Sequence, residues 1–190
     1  MRKLTYLPLY LLLLLSPFFV RAQEQATNKK IILGASVNTG LSYTGFGITA
    51  GVSARRHNLE LVLGPKLSFT ETYRLTTGPW GAAASLYFYP SIKNTRLQSF
   101  ANLDLQTLIR NPYCPDSNCD DNFSYTHEYT VGYGLSYGLN RNLSLFNAIN
   151  VGFYHESLYN ASLRNRMHVR GLNTMVKLGL TYRFHGKENL

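Results

Sequence analysis

Beyond residue 22 the chain alternates apolar and polar residues with a period of two, the spacing of strands whose faces meet different surroundings. The stretch 173–184 shows it best. Val176, Leu178, Leu180, Tyr182 and Phe184 fall on one face, and Asn173, Met175, Lys177, Gly179, Thr181 and Arg183 on the other. In 125–139 the apolar face carries Tyr125, Tyr129, Val131, Tyr133, Leu135, Tyr137 and Leu139. Its opposite face carries Thr126, Glu128, Thr130, Gly132, Gly134, Ser136 and Gly138. Extended along the chain, the pattern predicts eight strands near 30–39, 44–55, 58–69, 80–89, 96–109, 123–138, 143–156 and 172–184. Each has the roughly 9–11 residues that a tilted strand needs to cross a hydrocarbon layer. A polar face lined by Gly, Ser and Thr suits a narrow lumen. The expected fold is all-β, an eight-stranded antiparallel up-and-down transmembrane β-barrel over 30–184. A soluble sandwich with one wet face is the alternative.

The links favour the barrel. Those at 55–58, 90–96 and 140–142 are short, whereas those at 70–79, 110–122 and 157–172 are longer and polar. The link at 39–43 is short where a long one is expected. Short turns on the periplasmic side and longer loops outside mark barrels of the outer membrane. The first 22 residues have the form of an export signal: Arg2 and Lys3, then an apolar stretch from Leu7 to Val20, then Val20-Arg21-Ala22 before a cut after Ala22. Residues 23–29 are then a short N-terminal tail and 185–190 a C-terminal one.

Composition changes this picture little. Charged residues are 15% of the chain, below the quarter usual for soluble domains. Loss of Arg2, Lys3 and Arg21 with the signal lowers the formal charge from +9 to +6. Export argues against a nucleic-acid partner, so outer-membrane lipids and lipopolysaccharide phosphates become the expected partners of this basic chain, which is read as a monomer. Cys114 and Cys119 stand four residues apart in the third outer loop of an exported chain, and a local disulfide is the natural reading. So small a loop gives it only about 2 kcal/mol. Nothing has the form of a nucleotide loop or a zinc set, so no cofactor is expected. His57, His127, His155, His168 and His185 are too scattered to propose a metal.

The closing segment 177–184 resembles the β-signal read by the barrel-assembly machinery, with Lys177, Gly179, Tyr182 and Phe184 at its polar, glycine and aromatic positions. The tail after Phe184 departs from that pattern, whose aromatic is often terminal. With the signal peptide and the strand count, the chain resembles small Gram-negative outer-membrane barrels of the OmpA transmembrane-domain type. That resemblance implies a fold, a location and assembly by that machinery, but no activity.

Two constellations carry possible chemistry. Seven charges fall on the polar faces: Lys66, Asp104 and Lys177 at middle depth, Arg55, Glu60 and Arg183 towards the periplasmic end, and Glu128 higher. Eight strands enclose a space that side chains can fill, so these charges are expected to pair as a lumen network. A narrow gated pore is the alternative. At the outer end of the seventh strand, His155 and Ser157 share the lipid-side face with Ile149, Val151 and Phe153. This pair is similar to that of lipid A deacylases of the PagL type, which implies a His activating a Ser against an acyl ester, with an acid orienting the His. Leu158 and Tyr159 intervene before Asn160-Ala161, Asn173 stands where the acid should be, and Glu156 points to the lumen. A polar rim where strand meets loop is the plainer reading. The leading expectation is a structural or surface-binding barrel, with an esterase as its alternative. Basic residues at 164, 166, 168 and 170 add a possible contact with lipopolysaccharide phosphates.

Overall fold

A computed structural model describes residues 31–43, 45–69, 80–90, 96–110, 124–160 and 165–184. Eight strands follow in order: β1 (Ile32–Ser42), β2 (Gly45–Arg56), β3 (Leu59–Ser68), β4 (Trp80–Phe88), β5 (Leu97–Arg110), β6 (Ser124–Gly138), β7 (Leu143–Asn160) and β8 (Asn165–Arg183). Each strand pairs with its sequence neighbours and β1 pairs with β8, giving a closed barrel. The seam is antiparallel from Gly34 opposite Arg183 to Leu41 opposite Val176. The Phe184 N–H extends it by donating to the Leu33 carbonyl at 2.8 Å. Closure leaves no edge strand, which satisfies backbone groups that lipid could not.

Six strands lie close to their expected ranges. Within the link expected at 157–172, residues 157–160 and 165–172 are paired strand instead. β7 and β8 run for 18 and 19 residues and stay paired up to Asn160 opposite Asn165. Within the upper part of β8, Arg166, His168 and Arg170 take one face in strand alternation. Met167 and Val169 alternate with them on the inward phase, so the apolar–polar order is reversed relative to 173–184 although the strand continues. β4, by comparison, has only 9 residues. Among the described residues the wall is therefore tallest at β7–β8. The proposed signal segment 1–22, both tails, Arg164, Cys114 and Cys119 lie outside the described residues.

The barrel is inside-out relative to a soluble protein. Val37 and Leu41 on β1, Leu61 and Leu63 on β3, Val131 and Tyr133 on β6, Ile149 and Val151 on β7, and Leu178 and Leu180 on β8 are all exposed on the outer wall. Ser36, Thr49, Lys66, Asp104, Glu128, Asn150 and Lys177 are buried inside it. In water each bare Leu or Val of this kind would forgo about 1.5–3 kcal/mol of burial. A belt that runs round every strand fits hydrocarbon as its solvent.

Glycine has a spatial role inside. The Phe100 ring lies against Gly134, and the Phe146 ring against Gly179, where a Cβ would collide with ring carbons. Phe100, Phe146, Tyr87 and Tyr89 consequently form an aromatic layer across the lumen, with Tyr87 edge-on to Phe100 at 5.2 Å and to Phe146 at 5.7 Å. Gly134→Val and Gly179→Val should each destabilise the folded barrel by about 1–3 kcal/mol through overpacking. Urea titration of the heat-modifiable gel band checks this; an unchanged midpoint would show that the rings are free to move aside.

Candidate functional site

The polar faces place all seven sequence-predicted charges in the lumen, where six form three ion pairs at three depths. At the centre the Lys177 ammonium donates to Asp104 Oδ1 at 2.7 Å, Ser85 Oγ at 3.2 Å and the Tyr87 hydroxyl at 3.2 Å. An ammonium has three donors, and each finds an acceptor. Asp104 is wholly buried and also accepts from Ser85, Asn102 and Asn150. Above this centre, Lys66 donates to Gln106 and to Glu128 Oε2, the latter at 3.4 Å. Ser42 Oγ donates to the same Glu128 oxygen. Towards the chain ends, Arg183 reaches Glu60 at 2.9 Å and Ser144 Oγ at 2.9 Å. The Tyr89 hydroxyl donates to Glu60 as well. Arg55 lies over the Tyr89 ring at 4.1 Å and donates to Gln98.

The network and the aromatic layer interleave. Phe100, Lys177, Met175, Glu60, Glu128 and Asp104 each have less than 2% of their surface exposed. The aromatic layer was the part that sequence reasoning passed over. Its signal was an aromatic in the polar phase: Phe100 alternates with Asn102 and Asp104, and Phe146 with Ser144 and Asn150.

At the outer end, His155 and Ser157 lie on the outward face, Glu156 on the inward one. The two are not joined by a hydrogen bond. His155 Nδ1 accepts from Arg170 Nε at 3.1 Å, while Ser157 Oγ accepts from Arg166 Nη1 at 3.5 Å. Glu156 accepts from Thr126 inside the barrel, and Asn173 Oδ1 accepts from the Tyr43 N–H. An imidazole held by a guanidinium lacks the carboxylate that would stabilise its protonated form in general-base catalysis. Register also gathers histidines that the sequence leaves apart. His127 stands opposite His155 and His155 opposite Arg170, with His168 one step higher on β8. The rings stack, at 6.5 Å between His127 and His155 and 5.5 Å between His155 and His168.

The four residues that resemble an assembly signal divide between faces. Lys177 and Gly179 point inward, into the ion pair and under Phe146, whereas Tyr182 and Phe184 lie outside in edge contact at 5.4 Å.

Two outcomes follow from this geometry. Lys177→Met should cost about 3–5 kcal/mol, because it leaves Asp104 charged and buried without its partner, while the double variant K177M/D104L should recover much of that loss. Equilibrium unfolding checks it; equal stability of single and double variants would mean that the pair is not coupled. Ser157→Ala should leave the acyl number of lipid A unchanged in mass spectra of cells with and without the gene, and a change removed by S157A would restore the esterase reading.

No family pattern and no curated protein matches the chain. Among solved structures it is similar to the N-terminal β-barrel domain of Pseudomonas aeruginosa OprF, with a TM-score of 0.57 at 11% identity over 82% of this chain and 98% of that one. It is also similar to Neisserial surface protein A, NspA, with a TM-score of 0.47 at 16% identity over 81% of this chain and 96% of that one. Identities this low speak to fold alone, and the chain is by that measure an eight-stranded closed antiparallel β-barrel.

Proposed function

We propose that this chain is an exported outer-membrane barrel with a closed lumen, a structural protein that presents a surface to lipid and to the cell exterior. The observation that carries the reading is the filled cross-section, in which Lys177, Asp104, Phe100 and Met175 are all buried at lumen depth. The outward apolar belt supports the membrane as its medium. The longer links at 69–79 and 111–123 and the tall β7–β8 hairpin share one end of the barrel, which supports that end as the exterior. In this reading residues 1–22 direct export, the assembly machinery reads the last strand, and Cys114 and Cys119 bridge within the third outer loop.

A filled eight-stranded lumen gives no continuous water path. The barrel reconstituted in planar bilayers should therefore show no stable single-channel steps, and reproducible unitary steps would overturn the closed-lumen reading. N-terminal sequencing of the protein recovered from outer membranes should begin at Gln23. Recovery from the soluble periplasm would overturn the location.

A further inference from the structure

The outer wall of β6–β8 is divided by register into layers. Tyr129, Phe153 and Leu172 stand opposite one another in one row. Tyr129 and Phe153 stack at 5.1 Å, and Leu172 is 91% exposed. The next outward-facing row towards the exterior is His127, His155 and Arg170. One strand repeat of about 7 Å therefore separates hydrocarbon-compatible side chains from a row of two imidazoles and a guanidinium. An open groove of about 630 Å³ crosses the boundary, lined by Tyr129, Phe153, Leu172, His155 and Arg170.

Among the described residues the charge in this region is one-sided. The carboxylates among the described residues are Glu60, Asp104, Glu128 and Glu156, and all are buried inside the barrel. Arg166, His168 and Arg170 face outward on β8 beside His155 on β7. The donors are also arranged. Because Arg170 Nε donates to His155 Nδ1, the neutral imidazole carries its proton on Nε2 and remains a donor there. Arg170 keeps its two terminal NH₂ groups as further donors without a protein acceptor among the described residues. On the other flank Thr107 bonds His127 Nδ1 at 3.0 Å and fixes that ring.

We infer that this groove is a binding site for a phosphorylated acyl lipid of the outer leaflet. The inference rests on the outer-membrane reading above. The phosphate lies against Arg170, His155 and His168, and an acyl chain runs down over Phe153, Tyr129 and Leu172. Guanidinium donors match phosphate oxygens through charge-assisted hydrogen bonds. The apolar row directly below distinguishes a lipid from a free anion, since a free anion gains nothing from Phe153 or Leu172. Held there, such a lipid would fasten the tall side of the barrel to its own leaflet.

Native mass spectrometry of the full chain, purified in a neutral detergent and shown to be heat-modifiable, tests the site with three probes: phosphatidic acid, diacylglycerol of the same acyl composition, and inorganic phosphate. Phosphatidic acid should remain bound, diacylglycerol should not, and inorganic phosphate at equal concentration should not displace the lipid. The H155A/R170A variant should retain phosphatidic acid at least about tenfold less, since one lost hydrogen bond to a charged group already accounts for that factor and this variant removes donors from two side chains. R141A, in the turn at the opposite end of the barrel, should retain it as the parent does. Equal retention of diacylglycerol, displacement by inorganic phosphate, or undiminished binding by H155A/R170A overturns the site while leaving the barrel reading intact. A chain that never yields a heat-modifiable form in detergent overturns both.

Discussion

The pair between Lys177 and Asp104 sets the terms for the rest of this barrel. Two opposite charges sit at the centre of a lumen that eight strands make just wide enough for side chains. Neither has water to fall back on, so each needs a full set of partners. Lys177 finds three acceptors, and Asp104 finds donors from β4, β5, β7 and β8. A single carboxylate thus ties together strands on different sides of the cylinder. The pairs above and below repeat the device at other depths, and the aromatic layer around Tyr87 fills the space between them.

Polar satisfaction inside and apolar exposure outside are two results of one alternation. A residue moved by one position along β8 would exchange Lys177 for Val176 or Leu178 on both faces at once. Register is strongly specified for that reason, and the same register decides what collects on the outer wall. Paired strands carry His127, His155 and Arg170 into one row just above Tyr129, Phe153 and Leu172. Among the described residues the wall at β6–β8 is therefore both the tallest and the place where its outward chemistry changes from hydrocarbon to imidazole and guanidinium donors.

Most of the fold was legible because a membrane barrel writes its two environments into alternate residues. Strand β8 from Asn173 onward and strand β6 from Tyr125 onward reproduce the expected faces residue by residue. The same logic placed the seven lumen charges, though which charge meets which required the register. Legibility ended where the phase reversed. In 165–171 Arg166, His168 and Arg170 take the outward face and Met167 and Val169 the inward one, opposite to the order below, so paired strand passed for loop. The histidine row was invisible for a different cause, since its members lie 13 or more residues apart and meet only through cross-strand pairing. The likeness of His155 and Ser157 to a catalytic pair came from spacing alone, and Arg170 occupies the imidazole nitrogen that an orienting acid would need.

The central claim is an inside-out barrel in a bilayer, and spin-label accessibility along the last strand tests it most directly. Single cysteines from position 175 to 181, in a background with Cys114 and Cys119 replaced by Ser, would each carry a nitroxide in barrels reconstituted into liposomes. The account predicts high oxygen collision rates at 176, 178 and 180, where Val176, Leu178 and Leu180 face outward, and low rates at 175, 179 and 181. A flat profile, or a period of two with the opposite phase, would contradict it.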